Sequence, residues 1–317
     1  MPRTPVVLYA SRAEHAPDYE AAIAAAAADA GLALDLRMDA AATDRADVDY
    51  LIFTASGPVQ EFAGFTRLKG ILNLWAGVEA LLALDPPADV PLVRMVERGL
   101  TEGMLDYVTG HVYRHHLGTD GFVGIQAPRP WETAFPPLAR NRRVTVLGIG
   151  ALGGVCAQRL AACGFRVTGW SRSQREIPGV RCVAGAEGLG QALDGCEILV
   201  LLLPDTPATH HVIDAAAIER LARGACIVNA GRGPLIDDDA LLAALDAGRL
   251  GHATLDVFDV EPLPEDHPFW AHPKVSVTPH IASVTRPDTA AVSLVEQIAR
   301  REAGEPFRYV VRRDIGY

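Results

Sequence analysis

Cysteine is scarce in this chain: five residues, at positions 156, 163, 182, 196 and 226, an odd number with no Cys-x-x-Cys pair. That excludes a disulfide framework and a thiolate zinc site, and it points to a reducing compartment. A basic excess is also missing. The formal net charge is −10, so the cationic face that displaces counterions from nucleic acid is absent, and no nucleic-acid partner is expected. No apolar run approaches the ~20 residues of a membrane span. The first ten residues hold too short an apolar stretch for a secretory signal, and the small-residue segment Ala21–Ala30 contains Asp29 and reads as a helix. A cytoplasmic protein without membrane association is expected.

What is present is ordinary globular material. The 317 residues are enough for roughly two domains, and 49% hydrophobic with 21% charged residues suits packed cores. The first third alternates strand-like and helix-like pieces: Pro5–Tyr9, Tyr50–Phe53 and Ile71–Leu74 read as strands, Tyr19–Ala30 and Val78–Leu84 as helices. Thr101 opens an amphipathic stretch running to about Phe122. Gly124–Leu138, with four prolines, reads as a linker. From Arg143 the rhythm tightens. Short β-type runs at Val144–Leu147, Arg166–Trp170, Ile198–Leu203, Cys226–Val228, Ala253–Val257 and Val275–Val277 alternate with helical segments at Leu152–Cys163, Gln191–Leu193, Ala215–Leu221 and Asp237–Ala247. This is the pattern of α/β, doubly wound parallel sheets. A C-terminal helix, Pro287–Ala303, is expected to return to the N-terminal domain and make it discontinuous.

Between the run Val144–Leu147 and the following helix lies Gly148-Ile-Gly150-Ala-Leu-Gly153. Gly-x-Gly-x-x-Gly in that context binds a dinucleotide: the first glycine permits the turn, the second admits the pyrophosphate, and the third packs helix on strand. An NAD site places Asp or Glu at the end of the second strand for the ribose hydroxyls. Here the chain reads Gly169-Trp-Ser-Arg-Ser-Gln-Arg175, with no carboxylate before Glu176. Arg172 and Arg175 are suited to pair with a 2′-phosphate and Ser171 and Ser173 to hydrogen-bond it, so NADP(H) is the expected cofactor.

Three residues then follow where short apolar runs give out: Arg232 in Asn229-Ala-Gly-Arg-Gly233, Glu261 in Leu255-Asp-Val-Phe-Asp-Val-Glu-Pro262, and His280 in Thr278-Pro-His280. Singly, Arg232 reads as a surface loop arginine, Glu261 as a solvated loop carboxylate and His280 as a strand-end histidine. Together, a permanent cation, an acid and a histidine beside a nicotinamide are the parts needed to reduce a 2-keto acid. His111-x-x-x-His115 has metal-pair spacing, but Val112 stands where a zinc protease needs glutamate and no third ligand is evident, so no metal is expected.

These strings, with Trp75-Ala-Gly-Val-Glu79, Trp170-Ser-Arg172 and Leu203-Pro-Asp-Thr-Pro207, resemble the D-isomer-specific 2-hydroxyacid dehydrogenases over nearly the whole chain. The closest likeness is to the short bacterial members that reduce glyoxylate and hydroxypyruvate with NADPH. The resemblance implies a Rossmann cofactor domain over 101–283 and a smaller, discontinuous, flavodoxin-like substrate domain over 1–100 and 284–317. It implies that Arg232 anchors the substrate's carboxylate and keto oxygen, that His280 is the general acid, and that Glu261 fixes its tautomer. Family members that oxidise formate carry glutamine where this chain has Glu261, so a proton-coupled reductase is implied. The resemblance also sets Trp75, Ala76, Gly77 and Ser283 at the substrate, and Ala151, Leu152, Leu203, Pro204, Ala230 and Asp256 at the cofactor. It implies a homodimer, with Trp131 resembling a tryptophan that in some relatives reaches the partner's site.

Alternatives within and beyond the enzyme class are a D-lactate-type or phosphoglycerate-type dehydrogenase and a nucleotide-sensing scaffold. The missing ribose-binding carboxylate and the end of the chain at Tyr317 without a regulatory extension weigh against the first two, and the lack of long disordered tails against the third. Phosphate recognition by the basic turn is directly measurable. Arg172→Ala is expected to raise the Michaelis constant for NADPH far more than that for NADH, and equal effects would remove the turn from cofactor choice.

Overall fold

The structure, a computed structural model, describes residues 3–125 and 135–316; Trp131 and most of the expected linker lie outside the described residues. The chain divides into two compact units, Met1–Leu100 with Val284–Tyr317, and Thr101–Ser283. The first begins with strand β1 (Val6–Ala10), helix α1 (Ala16–Asp29), β2 (Asp35–Arg37), β3 (Tyr50–Phe53), β4 (Gly70–Asn73), the one-turn α2 (Glu79–Leu82) and β5 (Leu92–Val93). The strands form one all-parallel sheet in the order β2-β1-β3-β4-β5. Val7, Tyr9, Tyr50, Ile52 and Leu72 pack into a core on one face, and Val6, Leu8, Leu51, Phe53 and Ile71 into a core on the other. Burial of both faces is why these strands read as continuous apolar runs rather than alternating ones.

The second unit takes up helix α3 (Arg98–Leu117) three residues after its start and continues with α4 (Thr119–Ile125). One amphipathic stretch was the expectation; Gly118, at φ +69°, breaks it in two. There follow β6 (Arg143–Leu147), α5 (Ala151–Ala162), β7 (Arg166–Ser171), β8 (Arg181–Ala184), α6 (Gly185–Leu193), β9 (Ile198–Leu201), α7 (Ala215–Arg220), β10 (Ala225–Asn229), α8 (Asp238–Asp246), β11 (Leu250–Leu255) and β12 (Val275–Val277). All seven strands are parallel, in the order β12-β11-β10-β9-β6-β7-β8. The sheet therefore grows outward from β6 in one direction, then reverses at β9. That reversal opens a crevice at the carboxyl ends of β6 and β9, the place where doubly wound sheets take their ligands. Ile198 and Val200 face one core, Leu199 and Leu201 the other.

Helix α8 starts as its acidic sequence suggests. The Asp237 carboxylate accepts the Ala240 amide at 3.0 Å, and Asp238 and Asp239 fill the first turn. Helix α9 (Pro287–Glu302) belongs to the first unit, where Ala290, Ala291, Leu294 and Ile298 join the core that also holds Ile23 and Ala27 of α1. Strands β2, β5 and β8 were not anticipated. They run two to four residues, and β2 and β8 carry charged or half-buried side chains that leave no apolar pattern. Among the described residues no helix is long and apolar enough to cross a membrane, and all five cysteines are free.

Histidines lie buried between α3 and the β11–β12 edge. His115 Nε2 meets Thr254 Oγ1 at 3.0 Å, and His252 Nε2 meets Ser276 Oγ at 2.9 Å, with the Arg114–Asp120 pair alongside. Burial above all, helped by His252 and Arg114, pushes His115 down to about 3, and burial lowers His252 against the pull of Asp120. Unfolded histidines take up a proton near ~6.5, whereas His115 stays neutral in the fold well below that pH, and His252 protonates less readily than in the unfolded chain. The contribution of His115 is thus complete above about pH 6.5 and is lost as pH falls toward 3, at no more than ~1.4 kcal/mol per pH unit, and His252 acts in the same direction. Thermal midpoints are expected to drop between pH 7 and 5. His115→Asn should flatten that slope, and an unchanged slope would exclude His115 as its source.

Candidate active site

Strand ends set the site. The final residues of β10, β11 and β12 are in register, Asn229 beside Leu255 and Leu255 beside Val277. Parallel pairing delivers all three following loops to one edge of the sheet, the edge that also carries the loops after β6 and β9. Arg232 comes three residues after its strand, Asp256 one, Glu261 six and His280 three. The ordered spacing seen in the sequence is the consequence.

The glycine-rich turn follows β6. Gly148 has φ +100°, and a Cβ there would stand 2.6 Å from the Leu202 carbonyl oxygen, at the start of the loop after β9. Gly153 packs so closely that a Cβ would overlap the Gly148 carbonyl oxygen. Gly150 is different. It is exposed, and a Cβ would meet nothing within 4 Å. No packed neighbour excludes a side chain there. It heads α5, whose N-terminus has no side-chain cap and presents the amides of Ala151, Leu152 and Gly153. An open cradle at a helix N-terminus, over which backbone can approach an anion, fits a dinucleotide pyrophosphate.

At the end of β7, Trp170 Nε1 is tied to the Gly185 carbonyl at 2.8 Å, which fixes the start of the basic turn. Ser171 Oγ donates to the Ser173 carbonyl at 2.7 Å, and Arg172 and Arg175 are exposed. Leu203 and Ala230 are buried at the ends of neighbouring strands, and the Pro204 carbonyl accepts the Thr209 hydroxyl at 2.7 Å.

Arg232 is half-buried, and its loop is clipped by Asn229. Nδ2 of Asn229 donates to the Arg232 carbonyl at 2.8 Å while Oδ1 accepts the Gly231 amide at 3.1 Å, and Arg232 Nη1 donates to the Gly231 carbonyl at 2.6 Å. Glu261 is placed from both ends of its carboxylate. Oε1 accepts the Phe258 amide at 2.9 Å, and Oε2 lies 2.7 Å from His280 Nδ1. The imidazole remains 51% exposed. His280 has φ +54°, a left-handed conformation rare for a residue with a Cβ, and its amide donates to the Asp256 carbonyl at 2.9 Å.

Asp256 is 1% exposed, and its carboxylate is spent on the loop that carries His280. Oδ1 accepts from Thr278 Oγ1 at 2.6 Å and the Ile281 amide at 2.9 Å, and Oδ2 accepts the Ala282 amide at 2.9 Å. The resemblance set Asp256 against the cofactor; its carboxylate here shapes the loop. Tyr107 extends the chain, its hydroxyl 2.8 Å from Thr278 Oγ1, and burial pushes that phenol up to about 12. Ser283, half-buried, closes the same loop one residue after Ala282.

Trp75, Ala76 and Gly77 belong to the first unit, in the loop after β4. Trp75 is 37% exposed. Sequence reasoning missed the two asparagines, Asn73 and Asn229, that end strands and bind the loops after them; the usable signal was an amide side chain closing an apolar run. His111 and His115 form no metal cluster, and none of three or more ligating residues occurs among the described residues.

Comparison with known proteins gives a consistent picture. The profile described as "D-isomer specific 2-hydroxyacid dehydrogenase, NAD binding domain" matches residues 126–282. A glyoxylate/hydroxypyruvate reductase A of Serratia proteamaculans is 41% identical over 266 residues, covering 82% of this chain and 85% of that one. A D-isomer specific 2-hydroxyacid dehydrogenase from Xanthobacter autotrophicus, solved with NADPH and MES, superposes with a TM-score of 0.93 at 40% identity, covering 99% and 100% of the two chains. The NADPH-dependent glyoxylate/hydroxypyruvate reductase of Sinorhizobium meliloti, solved with NADP and sulfate, gives 0.88 at 36% identity, with the same coverage.

The contrast between two glycines yields a measurable outcome. Gly150→Ala should leave the thermal midpoint nearly unchanged yet weaken NADPH binding by roughly tenfold or more, about 1.4 kcal/mol. Gly153→Ala should lower the midpoint itself. Unimpaired NADPH binding in Gly150→Ala, read by fluorescence titration, would place the pyrophosphate elsewhere.

Proposed function

Since this chain belongs to the D-isomer-specific 2-hydroxyacid dehydrogenases, we propose that it reduces small 2-keto acids with NADPH, glyoxylate to glycolate and hydroxypyruvate to D-glycerate. The observation that carries this reading is the Glu261–His280 pair, closed at 2.7 Å on a half-exposed imidazole, at the sheet edge that bears the glycine-rich turn.

In this reading the second unit holds the dinucleotide, with pyrophosphate over Gly150 and the α5 amides and the 2′-phosphate beside Arg172, Arg175, Ser171 and Ser173. Trp75, Ala76 and Gly77, on the loop after β4, are read as substrate contacts. Arg232 offers a planar, permanently charged fork to the substrate's carboxylate and keto oxygen, held in place by the Asn229 clip. When bound, NADPH supplies the hydride that adds to the keto carbon. The carbonyl π pair moves onto oxygen, and the His280 Nε2 proton goes to that oxygen as the alkoxide forms. Glu261 accepts the Nδ1 hydrogen, so the ring keeps one orientation and Nε2 is the nitrogen turned to the substrate. The product is the 2-hydroxy acid. Ser283 lies on the His280 loop and is read as a substrate contact. The homodimer implied by the resemblance is checked by sedimentation.

NADPH oxidation followed over a panel of 2-keto acids tests the activity, and no turnover with any of them would refute it. His280→Ala is expected to cut turnover by ~10²–10⁴-fold, the usual worth of general acid catalysis, with NADPH affinity retained. Near-normal turnover would remove His280 from proton transfer.

A further inference from the structure

The strongest unexplained polar group in the first unit is Asn73, the last residue of β4, 2% exposed. Its Nδ2 donates twice, to the carbonyl of Trp75 at 2.8 Å and to the carbonyl of Gly77 at 2.8 Å. Its Oδ1 is buried with no hydrogen-bond partner among the described residues. An amide with two carbonyls on one side has only one workable orientation, since a flip would set oxygen against oxygen. For packing alone an apolar side chain would suit the position better, because an unpaired buried acceptor costs stability. What offsets that cost is the work of the two donors.

Neighbouring groups act in the same sense. The Trp75 carbonyl also accepts the Met95 amide at 3.1 Å, and the Leu74 carbonyl accepts the Thr285 hydroxyl at 2.7 Å. The carbonyls of Leu74, Trp75 and Gly77 are therefore all bound by the body of the unit. The peptides that follow them are trans, the cis bond among the described residues being Glu261–Pro262. In a planar trans peptide N–H points opposite to C=O. The amides of Trp75, Ala76 and Val78 are thereby directed away from the groups that bind those carbonyls, and the loop's negative ends are removed from the face they look onto.

We infer that Asn73 is the positioning residue of a carboxylate-binding loop, holding the carbonyls of Trp75 and Gly77 inward so that the amides of Ala76 and Val78 face an anionic ligand. This rests on the reading of the protein as a 2-keto-acid reductase and adds the group that fixes the loop's polarity. Asn73 touches no substrate. It acts through the orientation of two peptides, so its removal should weaken carboxylate binding without altering the dinucleotide site, which lies in the other unit.

The test compares wild type with Asn73→Ala, using NADPH-dependent turnover of glyoxylate and calorimetric titration with oxalate, a non-reducible dicarboxylate. The expected result is a KM for glyoxylate and a Kd for oxalate each raised roughly tenfold or more, with kcat changed less than about threefold and the KM for NADPH unchanged. Unchanged glyoxylate KM and oxalate Kd would overturn the inference. So would a parallel loss of NADPH affinity, which marks a general packing role. Should Asn73→Ala not fold, Asn73→Leu, similar in shape but with no donor for the two carbonyls, is expected to raise the glyoxylate KM and the oxalate Kd in the same way, and unchanged values overturn the inference. A wild-type protein inert toward every 2-keto acid would sink the proposed activity instead, and the oxalate titration then still decides the role of Asn73.

Discussion

The in-register parallel pairing of β10, β11 and β12 is the constraint on which the rest depends. With Asn229, Leu255 and Val277 side by side, the loops bearing Arg232, Glu261 and His280 leave the sheet at one edge and at one level. A shift of one residue in any of the three would turn every side chain of that strand to the opposite core. Register is therefore specified by the hydrophobic cores, where Ala253, Leu255, Ile227 and Val228 are committed to particular faces. The chemistry at the edge inherits its alignment from packing in the interior.

Beyond the strand ends, the loops are shaped by side chains that take no part in the proposed reaction. Asp256 gathers a hydroxyl and two backbone amides onto one buried carboxylate, and the result is a tight turn that holds His280 in a left-handed conformation. A buried carboxylate is tolerated only when its oxygens are satisfied, and here they are. Asn229 and Asn73 use the same device in the two units: a strand-terminal amide, buried, reaching forward to bind the carbonyls of the loop it precedes. Such groups convert the rigidity of a parallel sheet into fixed positions for loop atoms, as a preorganised site requires.

Much of this was legible in the chain. The runs at Tyr50–Phe53, Ile198–Leu203 and Val144–Leu147 announced buried parallel strands because both faces are covered, and the glycine spacing after Leu147 marked the crevice loop. Other features were not. Strands β2 and β8 lie at sheet edges, where polar residues are tolerated, and α6 begins six residues before the expected Gln191 because Gly185, Gly188 and Gly190 disguise it. The expected helix over 101–122 divides at Gly118, whose positive φ no neighbouring pattern foretold. The resemblance sets Asp256 near the cofactor, but that its carboxylate also holds the His280 loop shows only in its hydrogen bonds.

By itself the sequence determined the residue types suited to the proposed chemistry, the alternation that makes two parallel sheets, and the basic turn that stands where an acidic ribose ligand would be. Those are local properties, set by side-chain type and by spacing along the chain. Only the tertiary structure decided that Glu261 and His280 meet at 2.7 Å, that Gly150 opens onto empty space while Gly153 is hemmed in, and that Asn73 turns a loop's carbonyls inward. These depend on contacts between residues brought together by strand pairing and packing, and a hydrogen bond's partner is fixed by position in space, which separation along the chain does not encode.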